Sequence, residues 1–519
     1  MSGRVVIVGA GIGGLAAALR LAHAGCAVTV IEAQGGPGGK MRTVASVAGA
    51  VDAGPTVLTM LPVFGELFAD VAEDIAAHLT LTPLTILARH FWQDGARLDL
   101  MADPEHSAAN IGTAFGARAV ADFRAFRARA RRLFDAFDAP MMQAAQPSQA
   151  ALTARVLRQP RLIADMAPHR SLAGMLKGAF RDPHLAQLFG RYATYVGGNP
   201  FRAPALLALI AESESRGVWA VQGGMHRLAQ VIEGLARARA AQFHYATRAQ
   251  RIEVQGGQAA AVQTTAGRFA ADAVLFNGDP RALATGLLGD AARRAVPQVS
   301  HAPRSLSAYV HAFAAMPQGV DLAYHNVFFG PSPGAEFGPL DQGRRPEQAT
   351  LYLCAQDRAA AAPTGPERFE IILNGPPTGD RPEPEKDSAT CQTQVFARLA
   401  QFGLTFAPQP GLASLTTPHG FARLFPASQG SLYGQSPHGL TAALRRPTAR
   451  TPVAGLYLAG GGTHPGAGVP MATLSARHAA AAIMSDLALR LTSRPTAMPG
   501  GMSTGSAMTA GAPSRSSAS

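Results

Sequence analysis

The residues of this 519-residue chain most able to do chemistry near its start are three glycines and one acid. Gly9, Gly11 and Gly14 form a GxGxxG pattern in GAGIGG, between the apolar run RVVIV (4–8) and an Ala/Leu-rich stretch. Gly9 permits a tight turn, Gly11 lets backbone approach a pyrophosphate, and Gly14 lets helix and strand pack closely. A helix opening there turns free N–H groups and a positive dipole end toward phosphates. Glu32 closes the next apolar run, AVTVI (27–31), where a carboxylate can accept hydrogen bonds from a ribose. Alone, GxGxxG says little; in the order strand, turn, helix, strand, acid it specifies a dinucleotide-binding unit.

These residues need a β-α-β frame: a buried parallel strand over 4–8, a helix over 15–25 and a strand over 27–31. Farther on, RAVADFRAFRARARRLFDAF (118–137) predicts an amphipathic helix. Phe123, Phe126, Ala130, Leu133, Phe134 and Phe137 share one face, and Arg124, Arg127 and Arg131 another. Residues 243–276 alternate between turn signals as a β-meander does. Near the C-terminus, 456–459 reads as a strand, followed by the glycine-rich turn AGGGTHPG and a helix starting near Pro470. Residues 375–390 form a Pro-rich charged loop. From about Thr492 the chain is Ser, Thr, Gly, Ala, Pro and Met, a composition too poor in core formers to fold.

A second glycine cluster follows Glu32 at once, in EAQGGPGGKMR (32–42). It resembles the GGxxGGxxR-type loop of the amine-oxidase-like flavoproteins, which implies FAD rather than NAD. Arg42 can meet pyrophosphate charge there. The segment VDAGPTVLTM (51–60) then resembles the stretch that this family brings to the isoalloxazine ring. GLYLAGGGTHPGAGVPMATLS (455–475) matches the signature of bacterial-type phytoene dehydrogenases. With RYATYVGGNP (191–200) and GVWAVQGGMHRLAQ (217–230), in matching order, the resemblance to the carotenoid desaturases covers most of the chain. Within that family, HFWQDGARLDL (90–100), FDAPMMQAA (137–145) and DAGPTVLTM are most similar to 1-hydroxycarotenoid 3,4-desaturases.

The resemblance implies an α/β fold: a Rossmann-like FAD-binding domain with an inserted α+β substrate domain. The expected division is 1–75, 213–290 and 430–491 for FAD, 76–212 and 291–429 for substrate, and 492–519 as a disordered tail. It also implies that FAD touches Gly9, Gly11, Gly14, Glu32, Lys40, Arg42, Gly54, Gly461, Gly462 and Met471, with the backbone near Ala249 at the adenine. The C-terminal turn lacks the acid with which many amine-oxidase-like proteins bind the ribityl chain, so that task falls to backbone groups or Thr463. The implied reaction takes two hydrogens from adjacent carbons at one end of an acyclic carotenoid, one as hydride and one as proton. A cation beside a polyene is delocalised along it, so positioning and a dry site matter more than strong acid–base groups. His464, the one titratable side chain of the flavin-side turn, is the candidate proton acceptor, against the alternative that it only hydrogen-bonds the turn. Tyr192, Tyr195, Trp219, Phe328 and Phe329 are candidate tunnel aromatics. Alternative readings in the same fold are phytoene desaturation and redox-neutral cis–trans isomerisation.

Composition agrees. Hydrophobic residues make up 47% of the chain and charged residues 15%, enough for a core and a surplus to line an apolar pocket. The net charge of +12 suits an anionic membrane surface, but no dense basic block with interleaved aromatics suggests nucleic acid. Residues 118–171 carry ten arginines against four aspartates, which marks them as a candidate region for peripheral attachment. No apolar run is long enough to span a bilayer, and the cysteines Cys26, Cys354 and Cys391 form neither a disulfide framework nor a metal motif. The expectation is a cytoplasmic enzyme held peripherally at the inner membrane, without metal, passing electrons from FAD to oxygen or a quinone.

Overall fold

The computed structural model describes residues 3–359, 363–379, 381–382 and 387–492; most of the expected disordered tail lies outside them. Among the described residues, Arg4–Val8 is the middle of a five-stranded parallel sheet. The spatial order is Leu456–Leu458, Ala273–Phe276, Arg4–Val8, Ala27–Ile31, Gln242–His244. The inner strands are almost continuous apolar runs because both faces are covered. On one face pack the helices Ile12–His23, His226–Ala238 and Val469–Thr492, around Leu15, Leu19, Ile232, Ala476 and Ile483. On the other lies a three-stranded antiparallel layer, Ala249–Gln255, Gln258–Thr264 and Gly267–Ala270, over Ile252, Val262, Val274 and Phe276.

The helix expected over 15–25 starts at Ile12, because the third glycine of the motif belongs to the first helical turn rather than to the loop. The single meander expected over 243–276 is corrected. Only the strands between Ala249 and Ala270 form it, while Gln242–His244 and Ala273–Phe276 join the parallel sheet. Ala273–Phe276 is buried at every position, the signature of a two-sided strand that local alternation does not reveal.

The chain leaves the parallel sheet for long excursions between Ile31 and Gln242 and between Phe276 and Leu456. Both feed a larger, mainly antiparallel sheet: Ile86–Phe91 and Arg97–Met101 from the first, Ser307–Gln318, His325–Phe328, Leu351–Ala355 and Glu367–Gly375 from the second. The seam is a parallel pairing, Asn326 opposite Arg89 and Phe328 opposite Phe91. Helices of the first excursion cover one flank. The amphipathic helix runs Ala117–Phe137 and buries all six residues of its expected apolar face.

Candidate cofactor and substrate site

A cleft of about 1800 Å³, counted to its open mouth, runs along the carboxyl ends of the parallel strands. This is where open α/β sheets bind ligands. The helix Ile12–His23 points its N-terminus into the cleft; Gly11 is its cap, no side chain caps it, and no acid stands in its first turn. Gly9 adopts φ +104°, and a Cβ on Gly14 would stand 2.1 Å from the Gly9 carbonyl oxygen, so neither position admits another residue. Glu32 is held by main chain: Ala10 N–H donates to one carboxylate oxygen at 2.7 Å and Gln34 N–H to the other at 2.8 Å. Its remaining lone pairs face the cleft it lines.

The cleft also brings together Lys40, Gly54, Ala249, Gly461 and Gly462 of the expected contacts. Lys40 Nζ donates to the Leu432 carbonyl at 2.5 Å; burial pulls its pKa down from 10.5 to about 8, opposed by Asp279. Arg304, which pairs with Asp279, and Arg446 act on the same lysine. Arg446 donates to the Gly461 carbonyl at 2.8 Å and to those of Tyr433 and Gln435 at 3.0 Å, tying the C-terminal glycine turn down. Burial lowers its pKa to about 10. Three cations thus surround one carboxylate. The uncompensated positive charge beside a free helix N-terminus suits a diphosphate.

Other expected contacts lie away from the cleft wall. Gly14 acts through packing. Arg42 donates to Thr416 Oγ1 at 2.5 Å and lies over the Phe421 ring. Thr463 is fully buried, and its Oγ1 has no partner among the described residues, so a polar ligand atom there is chemically reasonable. Met471 is half-buried in the first turn of the C-terminal helix. His464 is 2% exposed; its Nε2–H donates to the Ala144 carbonyl at 2.8 Å and its ring stacks on His478. Burial lowers its pKa. In this position His464 ties the glycine turn to the segment around Ala144. Phe328 stacks on Phe91 and Phe329 on Trp92 inside the substrate-side core; Tyr192 and Tyr195 both donate to Glu214, and Trp219 packs against the nucleotide-side core.

Sequence reasoning missed Asn277. Its Nδ2 donates to the Gly9 and Gly11 carbonyls at 3.1 and 3.3 Å, and a Cβ on Gly460 would meet its Oδ1 at 2.7 Å. It therefore pins the N-terminal and C-terminal glycine turns against each other. The signal was its place immediately after Ala273–Phe276, at a strand's carboxyl end. The wall formed by Phe421, Leu424 and Phe425 was missed as well, since nothing local links those residues to the glycine motifs.

Comparison with known proteins agrees with this geometry. The profile of the flavin containing amine oxidoreductase family matches residues 12–484. The chain is 55% identical over 489 residues to a hydroxyneurosporene desaturase of Cereibacter sphaeroides, covering 94% of this chain and 98% of that protein. It is 49% identical over 484 residues to a hydroxyneurosporene desaturase of Rhodobacter capsulatus, covering 93% and 98%. Among solved structures, cyclohexylamine oxidase from Brevibacterium oxydans superposes with a TM-score of 0.54 at 18% identity over 94% of this chain and 100% of that one, a likeness of fold. The Rossmann-like cleft, its glycine turns and free helix N-terminus, and these matches lead to one conclusion: the chain belongs to the flavin containing amine oxidoreductases, in their bacterial carotenoid desaturase branch, and its cofactor is FAD.

Proposed function

We propose that the protein introduces the C-3,4 double bond into an acyclic 1-hydroxycarotenoid. The observation that carries this reading is near-full-length identity of about half to two hydroxyneurosporene desaturases, joined to a cleft that suits a dinucleotide. Bound FAD supplies the two-electron acceptor, and oxygen or a quinone receives the electrons from it. The chain's own residues bind and exclude water. The helix N-terminus at Gly11, with Lys40, would hold phosphate charge; Glu32 would accept from the ribose; the Gly460–Gly462 turn, fastened by Arg446 and Asn277, would carry the flavin end. We assign residues 1–75, 213–290 and 430–491 to cofactor binding and 76–212 and 291–429 to the substrate, with the second of these also lending Phe421, Leu424 and Phe425 to the cofactor cleft.

The substrate dissolves in lipid, so the reading includes peripheral attachment to a membrane. Among the described residues no helix is long and apolar enough to cross one. The apolar face of Ala117–Phe137 is spent on internal packing, whereas the helices Gln149–Leu157 and Pro160–Met166 expose Leu157 beside Arg155, Arg158 and Arg161. An apolar tip ringed by arginines suits an anionic bilayer. Changing the three arginines to glutamate should abolish flotation with anionic liposomes and leave flavin content unchanged; undiminished flotation removes this surface.

The functional reading is tested on FAD-loaded protein in liposomes, given 1-hydroxyneurosporene and, separately, phytoene. A red-shifted product two hydrogens lighter from the hydroxylated substrate alone is expected. Colour developing from phytoene would move the protein to earlier desaturation steps, and a product of unchanged mass would make it an isomerase.

A further inference from the structure

Beside the cofactor cleft lies a buried polar ensemble whose side chains do not line it. Sheet register builds it. Glu370 stands opposite Cys354, and Cys354 opposite His325, so the three side chains form a row across neighbouring strands, with Tyr352 two residues along on the same face. Thr56 comes from the other side, immediately after Pro55 of the cleft wall. Its Oγ1 donates to Glu370 Oε2 at 3.2 Å and lies 2.8 Å from Tyr352 Oη, which in turn lies 2.7 Å from His325 Nδ1.

The chain is open at both ends. Glu370 is 0% and His325 2% exposed, yet Glu370 Oε1 and His325 Nε2 have no partner among the described residues. Folded proteins seldom leave such atoms uncompensated, and those they do leave call for an explanation. Burial, with Asp52 nearby, holds the Glu370 carboxyl well above the usual carboxylate range against the pull of Arg42 and a hydrogen bond from Thr56. Burial, with Arg191 adding to it, holds His325 down at about 3. Burial therefore favours the uncharged form of both groups. Whichever way its protons point, the chain then presents a hydrogen-bond donor at one end and an acceptor at the other, with no net charge. That suits a neutral group able both to donate and to accept, and neither an ammonium nor a carboxylate.

We propose that Glu370 receives the hydroxyl of the polyene's end group, with Thr56, Tyr352 and His325 as positioning residues that orient its carboxyl. The inference rests on the 3,4-desaturase reading. An oxygen on carbon 1 is only a few bonds from carbon 3, so a substrate reacting at the cleft must carry its hydroxyl to the adjoining wall. Glu370 lies just behind that wall: it acts electrostatically on Tyr433, which lines the cleft, and accepts from Thr56, the residue after Pro55 of the lining. Without the hydroxyl, a substrate leaves this buried group unpaired, which is how sites of this kind discriminate.

The test is the ratio of kcat/KM for 1-hydroxyneurosporene to that for the same polyene without the hydroxyl, on FAD-loaded protein in liposomes, with flavin absorbance per protein as the check on folding. Glu370→Leu should lower the ratio by roughly 10- to 1000-fold. Glu370→Gln, also neutral and of like shape, should keep most of it. Tyr352→Phe, which removes only a hydroxyl, should lower it by about tenfold, the effect of one lost hydrogen bond at its upper range, and carries the test should the leucine variant fold poorly. An unchanged ratio in flavin-loaded Glu370→Leu or Tyr352→Phe overturns the subsite, as does a ratio lost equally in Glu370→Gln. A wild-type protein that oxidises phytoene and not the hydroxylated polyene overturns the underlying reading instead, before any variant is compared.

Discussion

The cofactor cleft and the polar chain beside it are both buried and both polar, yet they are built from different parts of the chain. The cleft is largely main chain: free amides at Gly11, glycine turns at both ends of the sequence, and carbonyls gripped by Asn277, Lys40 and Arg446. The acid that closes its second strand, Glu32, is itself held by backbone N–H groups. The chain of Glu370, Thr56, Tyr352 and His325 is side chain to side chain, from four separated segments. Charge divides them too. Beside the cleft Lys40, Arg304 and Arg446 share one carboxylate, Asp279, whereas burial disfavours the charged forms of Glu370 and His325. Backbone recognition with excess positive charge suits a common anionic cofactor. A neutral side-chain network suits one particular uncharged substrate.

The sharpest way to break the backbone half is Gly14→Ala. The added methyl meets the Gly9 carbonyl oxygen at 2.1 Å, a clash of main chain with main chain that no rotamer relieves. Overpacking of this kind costs about 1–3 kcal/mol. FAD affinity should fall by up to about a hundredfold, giving a nearly colourless purified protein; full flavin content would show that the turn has room to spare.

The charge half of the contrast is probed by pH. Lys40 has a folded pKa of about 8 against an ordinary 10.5. Between those values the unfolded chain binds more protons, so the apoprotein gains stability as pH rises from about 8 toward 10.5. A diphosphate beside the lysine restores its pKa, so FAD binding takes up a proton above pH 8 and weakens as pH rises, by up to about tenfold per unit. Fluorescence titration of FAD at pH 7 and pH 9 should show this. Lys40→Met should cost about tenfold in FAD affinity at pH 7, the worth of one charge-assisted hydrogen bond, and flatten the pH dependence. A wild-type affinity independent of pH would place the phosphates away from Lys40.

The smallest effect belongs to His464. Its bond to the Ala144 carbonyl makes it a tie between the C-terminal glycine turn and the substrate-side segment. His464→Ala should lower unfolding stability by about 1 kcal/mol and leave turnover per bound flavin nearly unchanged. Loss of turnover with flavin and stability intact would return His464 to the role of proton acceptor.

The sequence by itself determined the cofactor half. Glycines at Gly9, Gly11 and Gly14, an acid at Glu32 and a second turn at Gly460–Gly462 are local requirements, because backbone approach to a ligand depends on what each residue lacks. A missing Cβ can be read without knowing what it approaches. The Ala117–Phe137 helix was legible for a similar reason, its apolar period being written in consecutive turns. Only the tertiary structure decided the rest. Ala273–Phe276 left the meander for the parallel sheet because burial on both faces is settled by neighbours distant in sequence. Asn277 found its role only when the chain's two ends met across it. Glu370 and Thr56 lie 314 positions apart, so no spacing rule connects them. A carboxyl's charge depends on its desolvation, and desolvation belongs to the packed molecule.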